Sequence, residues 1–139
     1  MNKILMLSCG VLLISTAVFA SDTGETCADG AGKVVVGVSG HKYCLNKSGS
    51  NWWNAYAWCD AQGRRLIDLS DCGCSGVVAD CANNVCVELV GSYTNNYYAW
   101  TSRPASGTSN IYIVTLLDGK IQRYNRASQG MGWGYALCY

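Results

Sequence analysis

The sequence predicts an α+β fold with one main helix and an antiparallel sheet. Trp52, Ala55 and Cys59 fall at positions i, i+3 and i+7, so they share one helical face. Asp118-Gly119 lies between two apolar runs and is typical of a tight hairpin turn. The predicted order is a hairpin, the helix, a cysteine-rich loop and then several strands. This order favours an α+β protein over alternating βα units.

The first predicted element is a hairpin. Residues 33–38 are rich in valine and indicate a strand, and residues 42–45 indicate its return. Ser39-Gly40 supplies the turn between them. Cys27 and Cys44 are then placed to form a disulfide across the base of this hairpin.

The helix follows, with Ser50 or Asn51 as its N-terminal cap. Tyr56 is expected to complete the apolar face that Trp52 begins. Gly63 comes where a left-handed residue ends a helix. Residues 66–69 indicate a short strand or the entry to another helix.

The second half of the chain predicts a loop followed by strands. Residues 71–86 hold four cysteines and many loop-forming residues, which indicates a cross-linked loop with one helical turn. Residues 97–101 indicate a strand, and residues 111–117 and 121–124 form the arms of the predicted hairpin. Residues 134–138 predict the last strand.

The N-terminal residues 1–20 have the pattern of a secretory signal peptide, which leaves residues 21–139 as a single domain. Lys3 is followed by an apolar run, and Val18-Phe19-Ala20 supplies the small residues before the cleavage site. We expect cleavage after Ala20, with an uncleaved anchor as the alternative. The predicted location is therefore secreted or at the cell surface, in an extracellular or periplasmic setting.

Charge and composition exclude several classes of function. Without Lys3, the ten Lys and Arg residues become nine, against nine Asp and Glu. A neutral domain does not favour nucleic acid or, once the signal is removed, a membrane as its partner. His41 is the single histidine and falls near the first turn, so no Ser-His or Cys-His pair is supported. The sequence predicts no enzyme and no cofactor.

Cysteine usage predicts a disulfide-bonded domain. Nine cysteines are present, and removal of the signal peptide with Cys9 leaves an even number. Zinc is the alternative, but the spacings differ from the usual C-x2-C and an oxidising compartment disfavours thiolates. The eight remaining cysteines are Cys27, Cys44, Cys59, Cys72, Cys74, Cys81, Cys86 and Cys138.

The ordered set of residues resembles a C-type lectin-like domain, and more narrowly the short secreted bacterial lectin-like proteins. The resemblance spans residues 27–139. Its frame consists of an aromatic helix start, a helical Ala-x3-Cys, a glycine, two spaced leucines, a central Trp-containing strand and a final Cys-containing strand. In this chain these are Trp52, Trp53, Ala55, Cys59, Gly63, Leu66, Leu69, Tyr98-Ala-Trp100-Thr101 and Ala136-Leu-Cys138.

The resemblance implies a Cys59–Cys138 bond and supports Cys27–Cys44. The other four cysteines then pair within the insertion, either as Cys72–Cys81 with Cys74–Cys86 or in the nested arrangement. The calcium motif of the sugar-binding members is absent, because neither an acid nor an amide flanks Pro104. Asp118, the only carboxylate side chain after Arg103, is assigned to a turn. The resemblance therefore implies binding without a metal.

Polar and aromatic residues near the expected ligand-side loops are the candidate binding site. They are Arg103, Asn110, Arg123, Tyr124, Asn125, Arg126 and Trp133. The alternative interpretation is that Arg123 and Arg126 are solvated strand ends and that Tyr124 packs on the sheet. Residues 93–97 form a further aromatic and amide loop, and the tryptophans other than Trp133 are expected in the core. Asp68 and Asp71 fit helix capping as well as acid-base chemistry.

The sequence thus predicts a calcium-independent binding module, such as an adhesin, that recognises a surface glycan or an extracellular protein. The alternative is a structural or self-assembling extracellular subunit, such as a pilus or coat component. A third hypothesis is a tolerant scaffold for variable loops.

Overall fold

The computed structural model describes residues 20–28, 30, 32–46, 48–74, 85–91, 97–105, 109–125 and 134–139. The elements in chain order are β1 Ser21–Thr26, β2 Gly32–Val36, β3 Lys42–Asn46, α1 Trp52–Ala61, a first 3₁₀ helix Leu69–Cys72, a second 3₁₀ helix Val87–Leu89, β4 Tyr98–Pro104, β5 Asn110–Thr115, β6 Ile121–Asn125 and β7 Gly134–Cys138. No helix in these ranges is long and apolar enough to span a membrane. The predicted signal peptide lies outside them, apart from Ala20.

The seven strands form one sheet in the order β1-β2-β3-β7-β4-β5-β6. Every neighbouring pair is antiparallel except β4 and β7, which are parallel. Together with α1, this confirms the predicted α+β class with a mostly antiparallel sheet. β7 lies at the centre because it joins the N-terminal hairpin to the C-terminal strands.

The N-terminal hairpin agrees with the prediction, since β2 and β3 pair from Gly32 with Asn46 to Val36 with Lys42. Cys27 and Cys44 are bonded as expected. The sequence did not indicate β1, whose polar residues pair with β2 and form an edge of the sheet.

Helix α1 begins as predicted, with the Asn51 side chain accepting from the Asn54 backbone N–H. Gly63 has a φ of 64° and so takes the left-handed conformation expected after the helix. The prediction that Tyr56 lies on the buried face was wrong, because its side chain is 49% exposed. Its ring packs against the Trp52 ring, at a centroid distance of 5.4 Å.

Side chains alternate between two hydrophobic clusters on the two faces of the sheet. Along β7, Tyr135 and Leu137 join one cluster, while Ala136 and Cys138 join the other. Helix α1 covers the second cluster, and we call this side the helix face. The two 3₁₀ helices cover the first cluster, and we call this side the 3₁₀ face.

The turn between β5 and β6 is longer than predicted. Strand β5 ends at Thr115 and β6 begins at Ile121, so five residues connect the two strands, and the Thr115 backbone N–H donates to Lys120 O across the turn. The predicted arm, residues 111–117, was too long because it included Leu116. That residue is apolar and fully buried, but it belongs to the turn. Gly119 has a φ of 71°, which a glycine adopts without strain.

The remaining cysteines in the described ranges are all disulfide-bonded. Cys59 is bonded to Cys138, which links α1 to β7 as the resemblance implied. Cys72 is bonded to Cys86, the outer bond of the nested arrangement, and joins the two 3₁₀ segments. Cys74 is also disulfide-bonded. Cys81, which the nested arrangement leaves for it, lies outside the described residues.

Candidate functional site

Three predicted site residues lie together on one face of the β5–β6 hairpin. Asn110 is opposite Asn125, and Tyr112 is opposite Arg123. Because alternate residues of a strand point to the same side, Asn110, Arg123 and Asn125 share the 3₁₀ face of the sheet. We call these three residues the polar hairpin surface.

Tyr112 forms the base of this surface. Its side chain is fully buried, and the Arg123 guanidinium carbon lies 5.9 Å from the centre of its ring. A cation at this distance from an aromatic face is attracted by the ring quadrupole. Arg123 and Asn125 are exposed and Asn110 is half-buried, so the surface presents amide and guanidinium groups to solvent, with the buried Tyr112 ring beneath Arg123.

Tyr124 points to the opposite side of the hairpin. Its ring centre lies 5.6 Å from that of Tyr98 and 6.2 Å from that of Trp100, on the helix face. Burial raises the pKa of Tyr98 to about 12, and the neighbouring Tyr124 adds to this shift. Tyr124 is therefore part of the packing around Trp100 and does not join the polar hairpin surface.

Arg103 lies at the end of β4 and is paired with Asp68. Its Nε donates to Asp68 Oδ1 at 2.9 Å, and its Nη2 donates to Oδ2. This bidentate contact holds the pKa of the Asp68 carboxyl well below its usual range. Two of the Arg103 N–H groups that were expected to bind a ligand therefore donate to Asp68 of the chain itself.

Asp68 and Asp71 form a capping box at the first 3₁₀ helix. Asp68 accepts from the Ser70 backbone N–H, and Asp71 accepts from the Asp68 backbone N–H. Asp71 also receives two hydrogen bonds from Arg65, at 2.7 and 2.8 Å, which raise the Arg65 pKa. Asp68 and Asp71 were considered for helix capping and for acid-base chemistry, and the structure shows the capping role.

Two of the predicted site residues, Arg126 and Trp133, lie outside the described residues, as do residues 93–96 of the proposed aromatic loop. Tyr97 is half-buried, and its ring meets Tyr135 edge-on at a centroid distance of 4.8 Å. It contributes to packing beside the 3₁₀ face.

The tryptophan prediction holds for Trp100 and Trp52, which are 0% and 9% exposed. It was wrong for Trp53, which is 55% exposed on the outer side of α1. Trp53 and Tyr56 are three residues apart, so they are neighbours on the helix surface. The signal in the sequence for Trp53 was its position directly after Trp52, outside the spacing of Trp52, Ala55 and Cys59.

Glu88 is a structural residue that the sequence did not single out. Its carboxylate accepts from the Ser39 backbone N–H and hydroxyl at 2.9 and 2.6 Å, and from the Tyr43 hydroxyl at 3.1 Å. Burial, followed by the nearby Glu88 charge, raises the pKa of Tyr43. His41 lies beside this turn as expected, with Nδ1 3.0 Å from Ser39 Oγ.

No three His, Cys, Asp or Glu side chains in the described ranges are placed to hold a metal ion. Comparison with known protein families finds no family that matches this chain, and no curated protein is detectably similar to it in sequence.

Proposed function

We propose that the chain is a secreted, calcium-independent binding module with a C-type lectin-like fold, and that it acts as an adhesin for a surface glycan or an extracellular protein. The observation that carries this proposal is the convergence of Asn110, Arg123 and Asn125 on adjacent strands. Side chains on paired strands hold their positions better than side chains on loops, which suits recognition.

The chemistry of the polar hairpin surface suits hydroxyl, carbonyl and carboxylate groups. Asparagine amides both donate and accept, and a guanidinium donates in a planar fork. Strands β5 and β6 contain no Asp or Glu, so the surface favours a neutral or anionic ligand.

The disulfide frame supports the proposed fold. Cys27–Cys44 and Cys59–Cys138 are the two pairings expected of a lectin-like domain with an N-terminal hairpin. The latter ties α1 to the central strand, so the sheet that carries the binding surface is cross-linked to its covering helix.

The test is array binding by purified, oxidised protein in the presence and absence of a calcium chelator. We expect binding to a glycan or protein that the chelator does not change and that Arg123→Ala weakens at least about tenfold, which is about 1.4 kcal/mol. Gln122→Ala is the matched control, because Gln122 is also exposed and lies next in β6 on the opposite face. Binding that the chelator abolishes, or that survives Arg123→Ala unchanged, contradicts the proposal.

A self-assembling subunit is the second candidate, and exposed aliphatic side chains favour it. Val85, Val87 and Leu117 are 49%, 62% and 45% exposed. They lie on two segments that run side by side, joined by the bonds from Cys86 N to Gly119 O and from Gly91 N to Leu117 O. Sedimentation of the wild type and Val87→Ser at micromolar concentrations tests this candidate, which requires a wild-type oligomer that the substitution dissociates.

A further inference from the structure

The outer side of α1 presents aromatic rings where a helix on the surface usually carries charges. Trp53 is 55% exposed and Tyr56 is 49% exposed. Both rings pack against Trp52, whose ring centre is 4.7 Å from that of Trp53 and 5.4 Å from that of Tyr56. Trp52 is fixed to the sheet, because its Nε1 donates to Thr101 O at 2.9 Å. The two exposed rings therefore rest on a rigid base.

The rings are set at different angles, and this creates a corner. The plane of Trp53 is inclined 80° to that of Trp52, whereas Tyr56 is inclined only 31° to it. The planes of Trp53 and Tyr56 are therefore not parallel, so a flat ligand that stacks on one ring meets the other at an angle. Such a corner offers the negative face of an aromatic ring to weakly positive C–H groups.

One carboxylate lies beside this corner. Asp60 is four residues after Tyr56 and seven after Trp53, so it continues the same stripe of the helix. It is exposed, and a carboxylate accepts hydrogen bonds from hydroxyl groups. No other charged residue occurs from Ser48 through Ala61. We call Trp53, Tyr56 and Asp60 the aromatic helix surface.

We propose that the aromatic helix surface is a second binding site, which takes the ring of a neutral sugar. The apolar face of a pyranose has C–H groups for Trp53 and Tyr56, and its hydroxyls can donate to Asp60. The Asp60 charge disfavours an acidic sugar such as a uronate, because the two carboxylates would lie close together and repel each other.

The exposed area distinguishes a sugar from a second copy of the chain. Two aromatic side chains, each about half exposed, present about 200 Å² together. A stable protein interface needs about 800 Å² on each partner. The rings are thus large enough for one or two sugar units and too small to hold a dimer by themselves.

This site is independent of the polar hairpin surface. Helix α1 covers the helix face of the sheet, whereas Arg123 and Asn125 lie on the 3₁₀ face. A substitution on one surface therefore leaves the other in place, and each can fail without the other.

The experiment uses NMR titration of the oxidised protein with maltose, cellobiose and lactose, and with glucuronic acid as the charged comparison. We expect at least one neutral disaccharide to shift the indole signal of Trp53, with an affinity that Trp53→Ala lowers at least about tenfold. Trp53→Phe should retain part of the binding, because it keeps an aromatic face. Asp60→Asn should reduce the difference in affinity between neutral and acidic sugars, because it removes the negative charge.

Tyr139→Ala is the matched control, since Tyr139 is an aromatic side chain that is 43% exposed and lies outside both proposed surfaces. Equal binding by the wild type and Trp53→Ala, or no shift of Trp53 with any neutral disaccharide, overturns the inference. A concentration-dependent dimer that Trp53→Ala dissociates, with no response to sugar, also overturns it in favour of a second copy. Loss of sugar binding in Arg123→Ala alone leaves the adhesin proposal standing and removes this one.

Discussion

The two faces of the sheet are covered in different ways. On the helix face, α1 packs Trp52, Ala55 and Cys59 against the sheet, and the contacts are apolar except for one hydrogen bond from Trp52 Nε1 to Thr101 O. On the 3₁₀ face, two helices of three and four residues provide the cover. There, carboxylates of Asp68 and Glu88 hold the short helices to neighbouring strands and turns.

This difference follows from the hydrogen bonds that each element makes internally. A helix of ten residues satisfies most of its backbone groups, so it needs one cap and an apolar stripe. A 3₁₀ helix of a few residues satisfies few of them and relies on side chains and cross-links. The helix face should therefore be insensitive to pH, whereas the 3₁₀ face should weaken in acid.

The largest expected effect comes from the disulfides that fasten each cover. Cys59–Cys138 closes a separation of 79 residues and Cys72–Cys86 one of 14. Replacing both cysteines by alanine should lower the free energy of unfolding by about 4.5 kcal/mol for the first pair and about 3 kcal/mol for the second, from loop entropy. Urea unfolding of the two double variants measures which disulfide contributes more to the free energy of unfolding. A greater loss at the shorter loop would mean that the helix face is not the more strongly constrained one.

Added methyl groups test how rigid each face is. A Cβ at Gly134 would lie 2.5 Å from Trp100 Nε1 and 2.9 Å from Tyr98 Cε2, whereas a Cβ at Gly37 would collide with the end of the Glu88 side chain. Gly134→Ala should cost about 3 kcal/mol because the buried rings cannot move, and Gly37→Ala about 1 to 2 kcal/mol because Glu88 can. Thermal unfolding of the two variants compares their losses of stability. Equal costs would show that Glu88 is held as firmly as Trp100.

Acid should affect the 3₁₀ face through Asp68. Since its folded-state pKa lies below the unfolded value of about 3.9, its stabilising contribution is complete above about pH 5 and is lost as the pH falls through and below 4. Asp68→Asn should cost about 2 kcal/mol at pH 7 and much less at pH 2. Asp60→Asn, an exposed position on α1, is the control. A cost that does not change with pH would exclude the ion pair with Arg103 as its source.

The matching cap on the helix face should have the smallest effect. Asn51 is neutral and accepts one backbone hydrogen bond at 2.9 Å. Asn51→Ala should lower the free energy of unfolding by about 1 kcal/mol, with the same value at pH 7 and pH 3. Circular dichroism melts at the two pH values test this. A marked pH dependence would show that the helix face is also held by a titrating group.

The elements predicted correctly are those with a local signal. Helix α1 has a cap and apolar spacing, and β7 has a compact apolar run that contains Cys138. Strand β1 was missed because its polar residues form a strand only by pairing with β2. The Arg103–Asp68 contact joins residues 35 positions apart, and such a partner leaves no local trace.

The candidate site shows the same division. The sequence indicated Asn110, Arg123 and Asn125 as candidates among others, but only the β5–β6 register shows that they share a face and that Tyr124 does not share it. Trp53 was assigned to the core by residue type alone. Its exposure depends on which side of α1 meets the sheet, and the buried stripe of Trp52 and Cys59 decides that.

The most direct test of the central claim is to map where a bound ligand contacts the protein: on the polar hairpin surface, or at the exposed aliphatic side chains of Val85, Val87 and Leu117. With ¹⁵N-labelled protein and a ligand identified on the array, the amide signals of Asn110, Arg123 and Asn125 should shift together, and those of Val85 and Val87 should not. Shifts confined to Val85, Val87 and Leu117, with line broadening from self-association, would contradict the account and favour an assembling subunit.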